Sequence, residues 1–277
     1  MVSVQALFQQ VVQHYPHLPK RPLRVLLAHH LDQSVEFLLA HPETIVPVMV
    51  QDIFEEQVEK LAQGMPLSRL LGKREFWGME FELSAETLDP RPDSETLIEA
   101  VLQNNPDRSK KLRILDLGTG TGCLIISLLK EYPEVQGVAV DQSEDALETA
   151  CKNARTHGVE ERLTFYHGDW FSGIQEKFDV IISNPPYISE DEYEELDPGV
   201  KNHDPRKALL AGEEGLDCYN EIIPQAPHFL NPGGMLVLEI GYGQRIAVEK
   251  LLKENGFSSL LYRDLEARDR CLVGIFL

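Results

Sequence analysis

Two periods of apolar residues divide the chain. From Val4 to about Gly64 the apolar positions recur at three- and four-residue spacing: Leu7, Val11 and Val12, then Leu23, Leu26 and Leu27, then Val35, Leu38 and Leu39, then Phe54, Val58 and Leu61. That spacing lines one face of a helix. Pro16, Pro19, Pro22, Pro42 and Pro47 interrupt the run and Gly64 with Pro66 closes it, so residues 1–65 are predicted to form a small bundle of short helices. Residues 74–83 change pattern, with aromatics on either side of Gly78 and rough alternation after it, which predicts a β-hairpin. Together with Pro90-Arg91-Pro92 the hairpin makes 66–93 a stiff connector, followed by a helix over about 94–103 with Asp93 or Ser94 as its cap. From Leu112 onward short apolar runs alternate with helical patterns. Strands are expected near 112–116, 136–141, 162–166, 178–183, 234–240, 258–263 and 270–277, with helices near 121–131, 143–157, 215–229 and 243–254. Alternation with short connections predicts an α/β domain over 94–277, a Rossmann-like parallel sheet covered on both faces.

Composition narrows the function classes. With 43% hydrophobic and 26% charged residues the chain reads as globular, and no stretch approaches the run of about 18 apolar residues a membrane helix needs. The first eight residues carry neither a basic segment nor a small-residue cleavage site, so no secretory leader is expected and cytoplasmic residence follows. Lys and Arg number 26 against 45 Asp and Glu, a net charge of −19, which disfavours a phosphate backbone or an anionic membrane as partner. Cys123, Cys151, Cys218 and Cys271 are far apart, and the nine histidines show no ligand spacing, so neither disulfides nor a metal is expected.

Candidate chemistry gathers at strand ends. The run Leu112-Arg113-Ile114-Leu115-Asp116 leads into Leu117-Gly118-Thr119-Gly120-Thr121-Gly122, a glycine-alternating loop that opens a helix. Glycine permits the positive φ of a tight turn and the close approach of a ligand. The spacing differs from the dinucleotide fingerprint and position 123 is Cys, which favours a nucleoside without pyrophosphate. Asp141 ends the second strand, where a carboxylate can accept from both ribose hydroxyls. Asp169 and Trp170 follow the third, placed to accept from an adenine amine and to cover its ring. Asp116 could hold an ammonium group. An adenosine joined to an α-amino acid, as in S-adenosylmethionine, has both ends. The fourth strand, 178–183, runs into Asn184-Pro185-Pro186-Tyr187. Two prolines lacking N–H groups stop the strand and make a rigid turn, fit to present the Asn184 amide, free carbonyls and the Tyr187 ring to a small planar group. Seen alone, either acid is a common turn former and the proline turn is common punctuation.

Asp116-Leu117-Gly118-Thr119-Gly120-Thr121-Gly122 with Asn184-Pro185-Pro186-Tyr187 resembles the class I S-adenosylmethionine-dependent methyltransferases that act on planar nitrogens. The helical region, Arg74-Glu75-Phe76-Trp77-Gly78, Pro90-Arg91-Pro92-Asp93-Ser94-Glu95 and His203-Asp204-Pro205-Arg206-Lys207-Ala208-Leu209 narrow the resemblance to the PrmC/HemK family. It implies a seven-stranded methyltransferase domain, S-adenosylmethionine as cofactor with S-adenosylhomocysteine as product, and methylation of the Gly-Gly-Gln glutamine of peptide chain release factors. The 1–65 bundle would then recognise the protein substrate. It implies a catalytic role for Asn184, Pro185, Pro186 and Tyr187, and cofactor contacts from Asp116, Gly118, Thr119, Gly120, Thr121, Gly122, Asp141, Asp169, Trp170 and Asn184. Asp89, Asp93 and Ser94 depart from the commoner residues of the family's Pro-Arg-Pro segment. The rivals are an adenine-N6 nucleic-acid methyltransferase, opposed by the acidic balance; a nicotinamide dehydrogenase, opposed by the glycine spacing; and a non-catalytic adapter, opposed by the intact motifs. A monomer is the default expectation.

Overall fold

A computed structural model describes residues 2–276. The chain forms two compact units, one of residues 1–73 with 198–203 and one of 74–197 with 204–277. The first holds β1 (Val2–Ser3), α1 (Val4–His14), α2 (Lys20–His30), α3 (Val35–Ala40), β2 (Ile45–Val46), α4 (Val48–Ala62) and α5 (Leu67–Leu71). Ser3 and Ser34 cap α1 and α3, their side chains accepting from the Ala6 and Phe37 amides. Leu7, Leu23, Leu26, Leu27, Phe54 and Val58 are fully buried, as the helical spacing requires, whereas Leu39 is exposed on the short α3. Two features lie outside the sequence expectation: β1 and β2 pair antiparallel, Val2 opposite Val46, and α5 carries the helical unit past residue 65 to Lys73.

The second unit opens with the hairpin β3 (Lys73–Phe76) and β4 (Met79–Glu82). Its two-residue turn puts Trp77 at φ 52° and Gly78 at φ 67°, the double positive φ that matches the twist of a hairpin. Trp77 tolerates this conformation because both of its donors are anchored, the amide to Glu95 and the indole Nε1 to Glu131, each at 2.8 Å. Phe76 and Phe81 are buried in the main core, so the hairpin packs as part of this unit.

Then follow α6 (Glu95–Asn104), β5 (Arg113–Leu117), α7 (Cys123–Glu131), β6 (Gln136–Asp141), α8 (Glu144–Thr156), β7 (Leu163–His167), β8 (Phe178–Ser183), α9 (Glu190–Glu194), α10 (Pro198–Lys201, in the first unit), α11 (Asp217–Phe229), β9 (Leu230–Glu239), α12 (Arg245–Glu254), β10 (Phe257–Arg263) and β11 (Asp269–Phe276). The seven-stranded sheet runs β10-β11-β9-β8-β5-β6-β7; the last five are parallel, and β11 lies antiparallel to both of its neighbours. Alternate residues of β5 serve opposite faces. Ile114 packs with α6 and α7 through Ile98 and Ile125, while Leu115 and Leu117 pack with α11 and α12 through Ile222 and Val248. The strand order reverses between β5 and β8, and a crevice opens beyond the carboxyl ends of this pair. The Ser183 hydroxyl ties the two ends together, donating to the Leu117 carbonyl at 2.7 Å.

Two sequence expectations fail here. β9 begins at Leu230, four residues early, because the Phe178–Leu230 pair extends the ladder past an irregular stretch before Val180 meets Met235. Neither Asp93 nor Ser94 caps α6 with its side chain. The Ser94 hydroxyl points into the sheet instead, donating to Glu239 Oε2 at 2.5 Å, and Asp93 receives Arg270 at 3.1 Å.

Candidate active site

The glycine loop takes its shape from its own backbone. Gly118, Gly120 and Gly122 stand at φ 70°, 55° and 79°, all in the left-handed region. Around Gly120 nothing lies within 4 Å of an added Cβ, so the loop's crest is open, whereas at Gly122 a Cβ would come within 2.9 Å of Ile126 and 3.2 Å of Ala150. One glycine keeps room for a ligand and the other lets α7 pack on α8. The Gly118 and Thr119 amides both donate to the Val140 carbonyl, which draws the loop toward the end of β6. Asn153 on α8 accepts from the Glu82 amide and donates to the Glu82 and Thr121 carbonyls, joining β4 to the loop.

The acids at the strand ends differ in surroundings. Asp116 is fully buried; Thr119 donates to its Oδ2 at 2.7 Å, and its Oδ1 has no hydrogen-bond partner. Burial pushes its carboxyl up to about 7, with the Thr119 hydroxyl pulling the other way. Asp141 accepts from the Gly120 amide at 2.8 Å and the Ser143 amide at 2.9 Å, so it braces the loop. Burial raises its carboxyl as well, opposed by those backbone donors. Trp170 adopts φ 43°, unusual for a bulky residue, and its Nε1 is held by Glu221 at 2.7 Å. A Cβ on Gly118 would sit 3.8 Å from the Trp170 ring.

The proline turn is held from outside. The Asn184 Nδ2 lies 3.0 Å from the Ser94 hydroxyl oxygen, Tyr187 donates its hydroxyl to Glu239 Oε1 at 3.1 Å, and Gln244 Nε2 donates to the Tyr187 carbonyl at 2.8 Å. Glu239 ends β9 and is buried, with Arg270 at 4.0 Å. Glu239 and Gln244 are absent from the sequence reading, which names Ser94 only as a helix cap and as part of the Pro-Arg-Pro segment. Glu239 carried a readable signal, an acid closing the apolar run 235–238 as Asp141 closes β6; Ser94 carried none beyond its place in the Pro-Arg-Pro segment.

A cavity of about 320 Å³ collects these elements. Gly118, Thr119, Gly120, Thr121, Asp141, Asp169, Trp170, Asn184 and Pro186 line it, as do Ser94, Arg91 and Lys207. An ion pair from Arg91 to Asp204 secures the rim. Of the residues singled out from sequence, Gly122 packs behind the loop, Asp116 and the buried Pro185 are not in the lining, and Tyr187 lines a neighbouring pocket. The volume suits a nucleoside-sized ligand. An open glycine crest, carboxylates at two strand ends, an indole, and a buried unpartnered carboxylate oxygen on Asp116 fit an adenosine joined to an amino acid.

The family described as methyltransferase small domain matches residues 83–196, and that described as PrmC N-terminal domain matches residues 4–72. The chain is 42% identical over 253 residues to a release factor glutamine methyltransferase of Agrobacterium fabrum, covering 90% of this chain and 88% of that one. A protein of the same name from Cereibacter sphaeroides is 41% identical over 251 residues, with the same coverage. Among solved structures, a methyltransferase from Pyrococcus furiosus superposes with a TM-score of 0.53 at 17% identity, over 80% of this chain and 98% of that one, a likeness of fold.

Proposed function

This chain belongs to the release factor glutamine methyltransferase family, and from that membership we propose that it methylates the side-chain amide nitrogen (N5) of the glutamine in the Gly-Gly-Gln segment of peptide chain release factors. The observation that carries the reading is that Asn184 and the glycine loop line one cavity, a hydrogen-bonding amide facing the place where a nucleoside donor fits. When bound, S-adenosylmethionine supplies an electrophilic methyl group. Gly118 to Thr121, Asp141, Asp169 and Trp170 hold it: the loop offers backbone, Asp141 the ribose acceptor, Asp169 and Trp170 the adenine contacts. Asp116 balances the ammonium charge from behind the loop.

An amide nitrogen is a weak nucleophile because its lone pair is delocalised into the carbonyl, so orientation is the main catalytic contribution. The Asn184 Oδ1 and the Pro185 carbonyl accept the two N–H groups of the target amide. These fixed dipoles stabilise the positive charge growing on the nitrogen as it is methylated. Tyr187, moored to Glu239 and outside the cavity lining, sets the turn. No strong base is needed, because the proton leaves a nitrogen that has already become acidic. The reaction uses no metal, the helical unit docks the protein substrate, and the enzyme works as a cytoplasmic monomer. Among the described residues no helix is long and apolar enough to cross a membrane.

The test is incubation with methyl-labelled cofactor and either purified release factor or DNA, followed by locating the label. Label on the Gly-Gly-Gln glutamine is expected. Label on adenine would instead establish the nucleic-acid reading that the net charge of −19 disfavours.

A further inference from the structure

Two polar groups from distant parts of the chain stand in line behind Asn184. Ser94 precedes α6, Glu239 ends β9, and Asn184 follows β8. The Ser94 oxygen is 2.5 Å from Glu239 Oε2 and 3.0 Å from Asn184 Nδ2. Both Ser94 and Glu239 are buried, and Asn184 and Ser94 line the cavity.

A hydroxyl has one proton to give. A carboxylate can only accept, so an ionised Glu239 takes the Ser94 proton and leaves the Ser94 oxygen as an acceptor toward Asn184. Only the NH2 end of the Asn184 amide can satisfy it. The Asn184 oxygen is thereby turned away from Ser94 and kept free to accept. We propose that Glu239 and Ser94 are positioning residues that set the polarity of Asn184, the Glu239 charge being relayed through the Ser94 hydroxyl so that Asn184 presents an acceptor to the amide being methylated.

Reversing the first link reverses the last. A neutral group at Glu239 that donates to Ser94 sends the Ser94 proton to the Asn184 oxygen and leaves the Asn184 NH2 facing the acceptor. Two NH2 groups then oppose each other. The surroundings hold Glu239 in the accepting state: Tyr187 donates to its Oε1, Arg270 of β11 stands at 4.0 Å, and Ser94 donates to its Oε2. Asp93 beside Ser94 and Asp264 after β10 share Arg270, the neutral Cys271 thiol lies next to it on β11, and Tyr219 of α11 donates to the Glu239 backbone carbonyl. Burial pushes the Glu239 carboxyl up, against Ser94, Arg270 and Tyr187, and the relay therefore fails at milder acidity than an exposed carboxylate would set.

This inference rests on Asn184 accepting from the substrate amide, and two arms of the experiment separate the ideas. In full-length protein with 15N-labelled asparagine, the Asn184 side-chain signal, assigned by its absence in Asn184→Asp, is followed by hydrogen exchange without any substrate. Slow exchange in wild type, becoming fast in Ser94→Ala and restored in Ser94→Thr, is expected; equally fast exchange in wild type and Ser94→Ala overturns the relay. In the second arm kcat is measured at saturating cofactor and release factor. Ser94→Ala and the isosteric Glu239→Gln are each expected to lose at least tenfold in kcat, with cofactor Kd within twofold and Ser94→Thr within threefold of wild type. The acid limb of kcat, present in wild type, is expected to vanish in Ser94→Ala. Retention of kcat by Glu239→Gln, or parallel loss of kcat and cofactor binding in Ser94→Ala and Ser94→Thr, overturns the proposal in favour of a packing role. Wild-type protein that labels no Gly-Gly-Gln segment defeats the functional reading alone, and the exchange arm still decides the relay.

Discussion

The two sides of the cavity are built in opposite ways. The glycine loop on the donor side is shaped by residues close to it in the chain: three left-handed glycines, Thr119 on Asp116, and Asp141 at the end of the next strand. The Asn184 turn on the acceptor side is short and is held by Ser94, 90 residues earlier, and through Tyr187 by Glu239, 52 residues later. A ligand common to many enzymes needs only backbone shape and a few acids. Orienting an amide needs a hydrogen-bonding group whose polarity and direction are both fixed, and such fixing comes from the core around it.

The sharpest way to separate the two sides is Asn184→Ala. Removing one preorganised polar contact typically costs 10²- to 10³-fold in rate, roughly 3–4 kcal/mol, so kcat should fall by that order while cofactor affinity holds within about threefold. Parallel loss of both, with the fold intact by circular dichroism, would erase the division. The next effect concerns Asp116. Its folded carboxyl titrates near 7, against an ordinary value of 3.8, so the unfolded chain ionises first and stability falls as pH rises toward 7, flattening above it. Between pH 5.5 and pH 8 this group should remove roughly 2 kcal/mol of unfolding free energy, and Asp116→Asn should abolish that part of the slope in denaturant titrations. Identical slopes in the two proteins would show that the donor side carries no buried proton. The smallest effect is expected from Asp141→Ala. Cofactor Kd should rise about 10- to 30-fold, roughly 1.4–2 kcal/mol, with kcat at saturation little changed. A collapse of kcat at saturating cofactor would instead couple the two sides.

The same asymmetry decided what could be read from the chain. The glycines announced a left-handed loop because few other residues adopt that backbone, and β6 and β8 fell on the expected residues because buried parallel strands are continuous apolar runs. The seven-stranded methyltransferase fold followed from that alternation and from the motifs. Ser94 stands at the N-cap position of α6 that the spacing predicts, but its side chain makes no local cap bond. Its actual partners, Glu239 and Asn184, become neighbours only when the sheet assembles. Tyr187 is read from sequence as part of the catalytic turn because its ring follows Asn184 and the two prolines. The bond from its hydroxyl to the buried Glu239, and its place beside a neighbouring pocket, are long-range features that the chain does not announce. The helical unit was legible as helices, while β1, paired with residues more than forty positions away, was not.

One side chain on α8 gives the hairpin a second meaning. Asn153 uses its oxygen and its two-proton nitrogen to hold Glu82 on β4 and Thr121 in the glycine loop at once. Neither segment can detach without breaking bonds that serve the other. In the language of native-state fluctuations they form one opening unit, so the amide of Glu82, outside the cavity lining, serves as a clock for the glycine loop.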